Sequence, residues 1–117
     1  MMPAHIAHVG GDRRYTYSNR RLSAVLPGSK SDIIGLPIDE ALDRAAFEMI
    51  REKLDAAFAG EASVFEFTHE PSSRRIRTAF TPDETQGGVY ILSMDVTEEA
   101  QTRAALQQTR RREMAAQ

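Results

Sequence analysis

Hydrophobic and polar positions follow two different periods along this chain. In the first half the pattern is broken into short pieces. Residues 5–9 (His-Ile-Ala-His-Val) form an apolar run closed by Gly10-Gly11-Asp12, and residues 14–18 follow with aromatics in alternation, which predicts a β-hairpin. Asn19 is placed to cap a short helix through Leu26, with Leu22, Val25 and Leu26 on its apolar side and Pro27-Gly28 ending it. Residues 31–35 predict one helical turn stopped by Gly35, and Pro37 opens another through Leu42. Residues 44–59 carry Phe47, Ile50, Leu54 and Phe58 at three- and four-residue intervals, the single stripe of an amphipathic helix that Gly60 closes.

The period then changes to two. Residues 62–69, 74–81 and 89–96 predict three strands, separated by the turn Glu70-Pro71-Ser72-Ser73 and the loop 82–88. Strands joined by turns favour antiparallel pairing, with the intervening helices on one face, so the fold class is α+β. Residues 98–117 contain no Gly or Pro and predict a terminal helix, with Thr97 as its N-cap and Glu98 and Glu99 in its first turn. Its apolar positions, Ala100, Ala104, Leu106 and Met114, form a thin stripe and not a full heptad ladder, as expected for the root of a coiled coil that continues in a longer protein. Residues 1–96 thus form one domain and residues 97–117 a linker helix.

Composition narrows the chemistry. A length of 117 residues suits one domain, and a net charge of -2 gives no case for nucleic acid or an anionic membrane. The Arg110-Arg111-Arg112 triplet is short and is followed by Glu113. There is no signal-peptide pattern and no apolar run of transmembrane length, so a cytoplasmic location without membrane contact by this segment is expected. No nucleophile and base are spaced for catalysis, and Ser93 reads as a small polar group on an interior strand face. His5, His8 and His69 are scattered and read as surface or edge imidazoles, with no metal site expected.

Several motifs, taken in order, resemble the PAS domain family. Gly11-Asp12-Arg13-Arg14-Tyr15-Thr16-Tyr17-Ser18-Asn19 is similar to its first hairpin, and Ile33-Ile34-Gly35-Leu36-Pro37-Ile38 to its Ile-Gly segment before a short helix. Ala56-Ala57-Phe58-Ala59-Gly60-Glu61 loosely fits its long-helix ending, and Asp95-Val96-Thr97-Glu98 its final Asp-Ile-Thr-Glu. The resemblance runs from about Ile6 to Glu99. It implies a five-stranded antiparallel sheet with short helices on one face, curved around a small cavity, in a sensory or dimerisation module of a bacterial signal-transduction protein.

The resemblance also implies sites. Ser93 would face the cavity, lined further by Leu54, Phe58, Ile76, Phe80, Val89 and Ile91. Plain core packing explains the same residues and is the first reading; a pocket for a small apolar ligand is the second. A flavin–cysteinyl adduct is excluded because the chain has no cysteine, and the long helix lacks the histidine that would ligate haem, so no cofactor is assigned. On the opposite face Tyr90, Leu92 and Met94 need a cover, supplied by a second copy in a homodimer or, as the alternative, by the terminal helix folding back. Asp95 and Thr97 would relay a change to a C-terminal effector such as a histidine kinase or a cyclic-dinucleotide enzyme. A ligand-free protein–protein interaction module and a small-molecule-binding domain are the other readings.

Overall fold

The computed structural model describes residues 4–19, 21–30 and 32–115. Its strands are β1 (Ala4–Val9), β2 (Tyr15–Ser18), β3 (Ser63–His69), β4 (Arg74–Pro82) and β5 (Val89–Asp95). They form one sheet in the order β2-β1-β5-β4-β3, and every neighbouring pair is antiparallel. Between β2 and β3 the chain makes helices α1 (Leu22–Val25), α2 (Ile38–Ala41) and α3 (Arg44–Phe58), and α4 (Thr97–Ala115) follows β5. The α+β class, the five-stranded antiparallel sheet and the C-terminal helix are those the sequence predicts.

Alternation puts His5, Ala7, Val9, Ile76, Phe80, Val89 and Ile91 on one sheet face, where all are buried. The helices contribute Leu22, Val25, Ile38, Ala46, Ile50, Leu54 and Ala57 to the same core. The α3 stripe is therefore wider than its large residues suggest: Ala46 and Ala57 are buried, whereas Phe47 and Phe58 are only half-buried against the core edge. Asp43 caps α3, its side chain accepting from the Ala46 amide at 3.4 Å.

Two local expectations give way to longer-range pairing. Asn19 is not the N-cap of α1, which is Arg21, although its Oδ1 accepts from the Arg21 amide at 3.3 Å. Its Oδ1 accepts from the Ile6 amide at 3.2 Å and its Nδ2 donates to the Ala4 carbonyl at 2.9 Å, so a carboxamide continues the β1–β2 ladder where β2 stops. Residues 32–35 form no helix but a single turn, closed by the Leu36 amide donating to the Ile33 carbonyl at 2.9 Å and held against β2. The Gly35 amide donates to the Tyr15 carbonyl at 2.8 Å and the Tyr15 amide to the Leu36 carbonyl at 3.0 Å. Ser31, where that turn was expected to begin, and Ala116 and Gln117, the expected end of the last helix, lie outside the described residues.

The three histidines correct the sequence reading most clearly, because all are buried. His5 Nε2 lies 2.9 Å from Ser18 Oγ; His8 lies 2.5 Å from Thr16 Oγ1 and 3.0 Å from Asp83 Oδ2. His69, with no exposed surface, lies 2.6 Å from Ser72 Oγ and 2.8 Å from Asp43 Oδ2. Each ring buries its apolar body where a hydroxyl or carboxylate from another element meets a ring nitrogen. Burial pushes the His5 imidazole down from 6.5 to about 4.

Gly88 fixes the approach of the β4–β5 loop to the hairpin. Its φ is +89°, and a Cβ there would lie 2.0 Å from the Val9 carbonyl oxygen. Gly88→Ala should cost at least about 2 kcal/mol in denaturant unfolding. Gly87→Ala, also at positive φ but with open space around it, should cost roughly 1 kcal/mol. Equal losses would contradict the steric account.

His5 gives a pH prediction. Between pH 6.5 and 4 the unfolded chain carries a proton on this residue that the folded chain does not, so stability is complete above this window and is lost as pH falls through it. The loss attributable to His5 is on the order of 3 kcal/mol at pH 4. His5→Gln should remove that part of the dependence; identical pH profiles for the two chains would contradict it.

Candidate functional site

The inner sheet face carries one polar row in an apolar setting. Register places His5 beside Ser93 and Ser93 beside Thr78, so three polar residues cross β1, β5 and β4 in line. Thr78 Oγ1 and Ser93 Oγ are 3.2 Å apart. Over this row Leu22 and Leu26 near α1, Ile38 and Leu42 near α2, and Ile50 of α3 close a cavity of about 20 Å³, with Tyr15 and Phe67 at its sides. Burial pushes the Tyr15 phenol up from its ordinary value. A volume of this size holds about one water molecule.

Of the residues expected at a cavity, Phe80, Ile91 and Ser93 line it. Leu54, Ile76 and Val89 are fully buried in the surrounding core without lining it. Phe58 sits at the core edge, where the Arg13 guanidinium stacks 4.5 Å from its ring centre and Arg13 Nη1 donates to Asp55 Oδ1 at 2.6 Å. His5, Tyr15 and Thr78 were missed. Thr78 follows from alternation with Ile76 and Phe80 on β4, whereas the place of His5 and Tyr15 at the cavity depends on strand pairing, which no local pattern in the chain specifies.

The outer sheet face is apolar at its centre. Tyr90 is 52% exposed and Leu92 39%, while Met94 is half-buried. Leu92 pairs with Ile6 of β1, itself 49% exposed, and Tyr17 of β2 extends the strip. His8 pairs with Tyr90, their ring centres 4.7 Å apart. The Asp83 carboxyl that meets His8 is held below its usual value by the Gln86 amide, and by the Thr85 amide and His8, against the opposing effect of burial. Val96 is fully buried just past the end of β5. The last helix does not fold back over the strip: residues 101–115 are exposed throughout. The molecule measures 57 Å along its longest axis against 28 and 25 Å across, consistent with a projecting 19-residue helix about 28 Å long.

The exit from β5 into α4 is stitched to the sheet. Thr97 does not cap its own helix as expected. Its Oγ1 donates to Asp95 Oδ1 at 2.5 Å and accepts from the Arg75 amide at 2.9 Å. Asp95 Oδ1 also accepts from the Thr97 amide at 3.0 Å, and Asp95 Oδ2 lies 3.3 Å from Arg74 Nη1. The Val96 amide donates to the Arg75 carbonyl at 2.8 Å. Further along α4, Arg103 reaches Glu66 of β3 at 3.1 Å, joining Arg75 and Arg77 on the same carboxylate. These guanidiniums, Arg77 first and Arg103 next, hold Glu66 down at about 2. Arg75 and Arg77 thus serve the outer face and not the cavity.

Among the described residues, no three His, Asp or Glu side chains group as metal ligands, and no helix is long and apolar enough to cross a membrane.

Comparison with solved structures places this geometry among known folds. A domain of an HTR-like protein from Haloarcula marismortui is similar with a TM-score of 0.61 and 18% identity, covering 81% of this chain and 99% of that one. The PAS domain of the histidine kinase ThkA gives a TM-score of 0.57 at 21% identity, with the same coverage of 81% and 99%. A C-terminal domain from Streptococcus mutans gives 0.53 at 13% identity, covering 86% of this chain and 81% of that one. A search of curated proteins finds no match. The family model described as the PAS fold matches residues 2–101. With that match spanning most of its length, and the sheet order and helical roof in agreement, the chain belongs to the PAS fold family.

Proposed function

We propose that this chain is a regulatory module of a signal-transduction protein, which self-associates through its outer sheet face and passes a change in the sheet to a C-terminal effector through α4. The observation that carries the reading is the asymmetry of α4. Its first residues are tied to β4 and β3 by Thr97, Asp95 and Arg103, while residues 101–115 are exposed. A helix of this length is marginal alone in water, so an exposed one suits a rod completed by a partner helix. The likeness to the PAS domain of a histidine kinase supports the same direction. In this reading Asp95 and Thr97 are the relay and Tyr90, Leu92 and Met94, with Ile6, are the dimer face.

A cavity of about 20 Å³ favours partner-driven input over a resident cofactor, since ligand pockets generally run from about 300 Å³ upward. A small apolar ligand would have to open the roof formed by α1 and α2. The module is read as non-catalytic and as acting on an attached effector.

Concentration-dependent mass measurement tests the dimer. The chain should dimerise in the micromolar range, and Leu92→Asp should weaken self-association at least tenfold while leaving the circular dichroism of the fold intact. A monomer at high micromolar concentration, or a dimer indifferent to Leu92→Asp, would move the interface elsewhere.

A further inference from the structure

The β3–β4 turn is where the helical roof and the root of α4 meet, and His69 sits between them. On the roof side His69 Nε2 lies 2.8 Å from Asp43 Oδ2. Asp43 caps α3 and is braced by Ser29, whose Oγ donates to Asp43 Oδ1 at 3.3 Å and accepts from the Asp43 amide at 3.4 Å. On the turn side His69 Nδ1 lies 2.6 Å from Ser72 Oγ, which accepts from the Arg74 amide at 3.3 Å. The Arg74 guanidinium donates to the Ala24 carbonyl of α1 at 2.8 Å and lies 3.3 Å from Asp95 Oδ2. Asp95 in turn holds Thr97, the first residue of α4. The start of the longest roof helix is therefore connected to the start of the exit helix by hydrogen-bonding residues without a gap.

We infer that Asp43, His69, Ser72 and Arg74 form a coupling path that carries displacement of the helical roof to the Asp95–Thr97 root of α4, with His69 as its central positioning residue. The inference rests on reading α4 as the output helix. Three observations favour a path over incidental packing. The His69 ring has no exposed surface, so a shift of Asp43 or Ser72 must be followed by the ring or break its bond to it. Neutral imidazole satisfies the site when Nε2–H donates to Asp43 and Nδ1 accepts from Ser72, which orders the ring and both partners. Finally, Arg74 joins α1 and Asp95 through one planar group, so a movement of α1 reaches the same endpoint.

Asp43→Asn is the suitable perturbation, because Asn caps a helix as well as Asp while withdrawing the charge that faces His69. Native-state amide exchange, followed by NMR on the whole chain carrying Leu92→Asp to keep it monomeric, reads the far end. The reporters are the Val96 and Ala100 amides, bonded to the Arg75 and Val96 carbonyls. Asp43→Asn should accelerate both about fivefold relative to amides of the β1–β2 hairpin. In a Ser72→Ala background the same substitution should change them less than twofold. Unchanged exchange at Val96 and Ala100 on Asp43→Asn overturns the path, as does an equal acceleration with and without the Ser72 hydroxyl. Should Leu92→Asp leave a dimer, the proposed interface fails while the exchange test still stands on the dimer. The two failures are therefore distinguishable.

Discussion

The pairing of β1 with β5 holds the molecule together. The first and last strands of the domain lie side by side at the centre of the sheet, in register from Ala4 with Met94 to Val9 with Val89. This contact creates the polar row by bringing His5 to Ser93, the outer strip by bringing Ile6 to Leu92, and the His8–Tyr90 contact. It is also the contact most demanding of chain-closure entropy, since nearly the whole domain must be looped out to make it. Gly88 belongs to the same constraint: only a residue without a side chain lets the loop before β5 pass the Val9 carbonyl.

Period and punctuation made much of the architecture legible. The three late strands, the long helix and the strand-to-helix exit follow from alternation, from the 3.6-residue stripe and from the placement of Gly and Pro. What local pattern could not give was anything set by partners far along the chain. Asn19 was read as a cap because it precedes a helical run, yet its carboxamide mainly serves β1 and reaches only the Arg21 amide ahead of α1. Thr97 was read the same way, yet its hydroxyl is shared between Asp95 and the Arg75 amide. His5, His8 and His69 look like surface residues by polarity, and they are buried because Ser18, Asp83 and Asp43 meet them from elsewhere. The candidate cavity was half legible for the same reason: alternation puts Thr78 with Phe80 on β4 and Ile91 with Ser93 on β5, whereas His5 reaches them only through the β1–β5 register.

Charge on the outer face is organised around one carboxylate. Glu66 of β3 gathers Arg75 and Arg77 from the neighbouring strand β4 and Arg103 from the exit helix. Each guanidinium is partly exposed, so no single pair is worth much, but the three converge on a geometry that fixes where α4 leaves the sheet. Together with Asp95 and Thr97 they make the helix root a defined joint, beyond which the rod has no support from its own domain.

The exposed strip has a consequence for biogenesis. Its halves come from opposite ends of the chain, Ile6 from the first strand and Leu92 from the last. A nascent polypeptide still threaded through the ribosome at β4 has one half of that surface and lacks the other. Any assembly that uses the complete strip must therefore wait until the last strand has been made and has paired with the first.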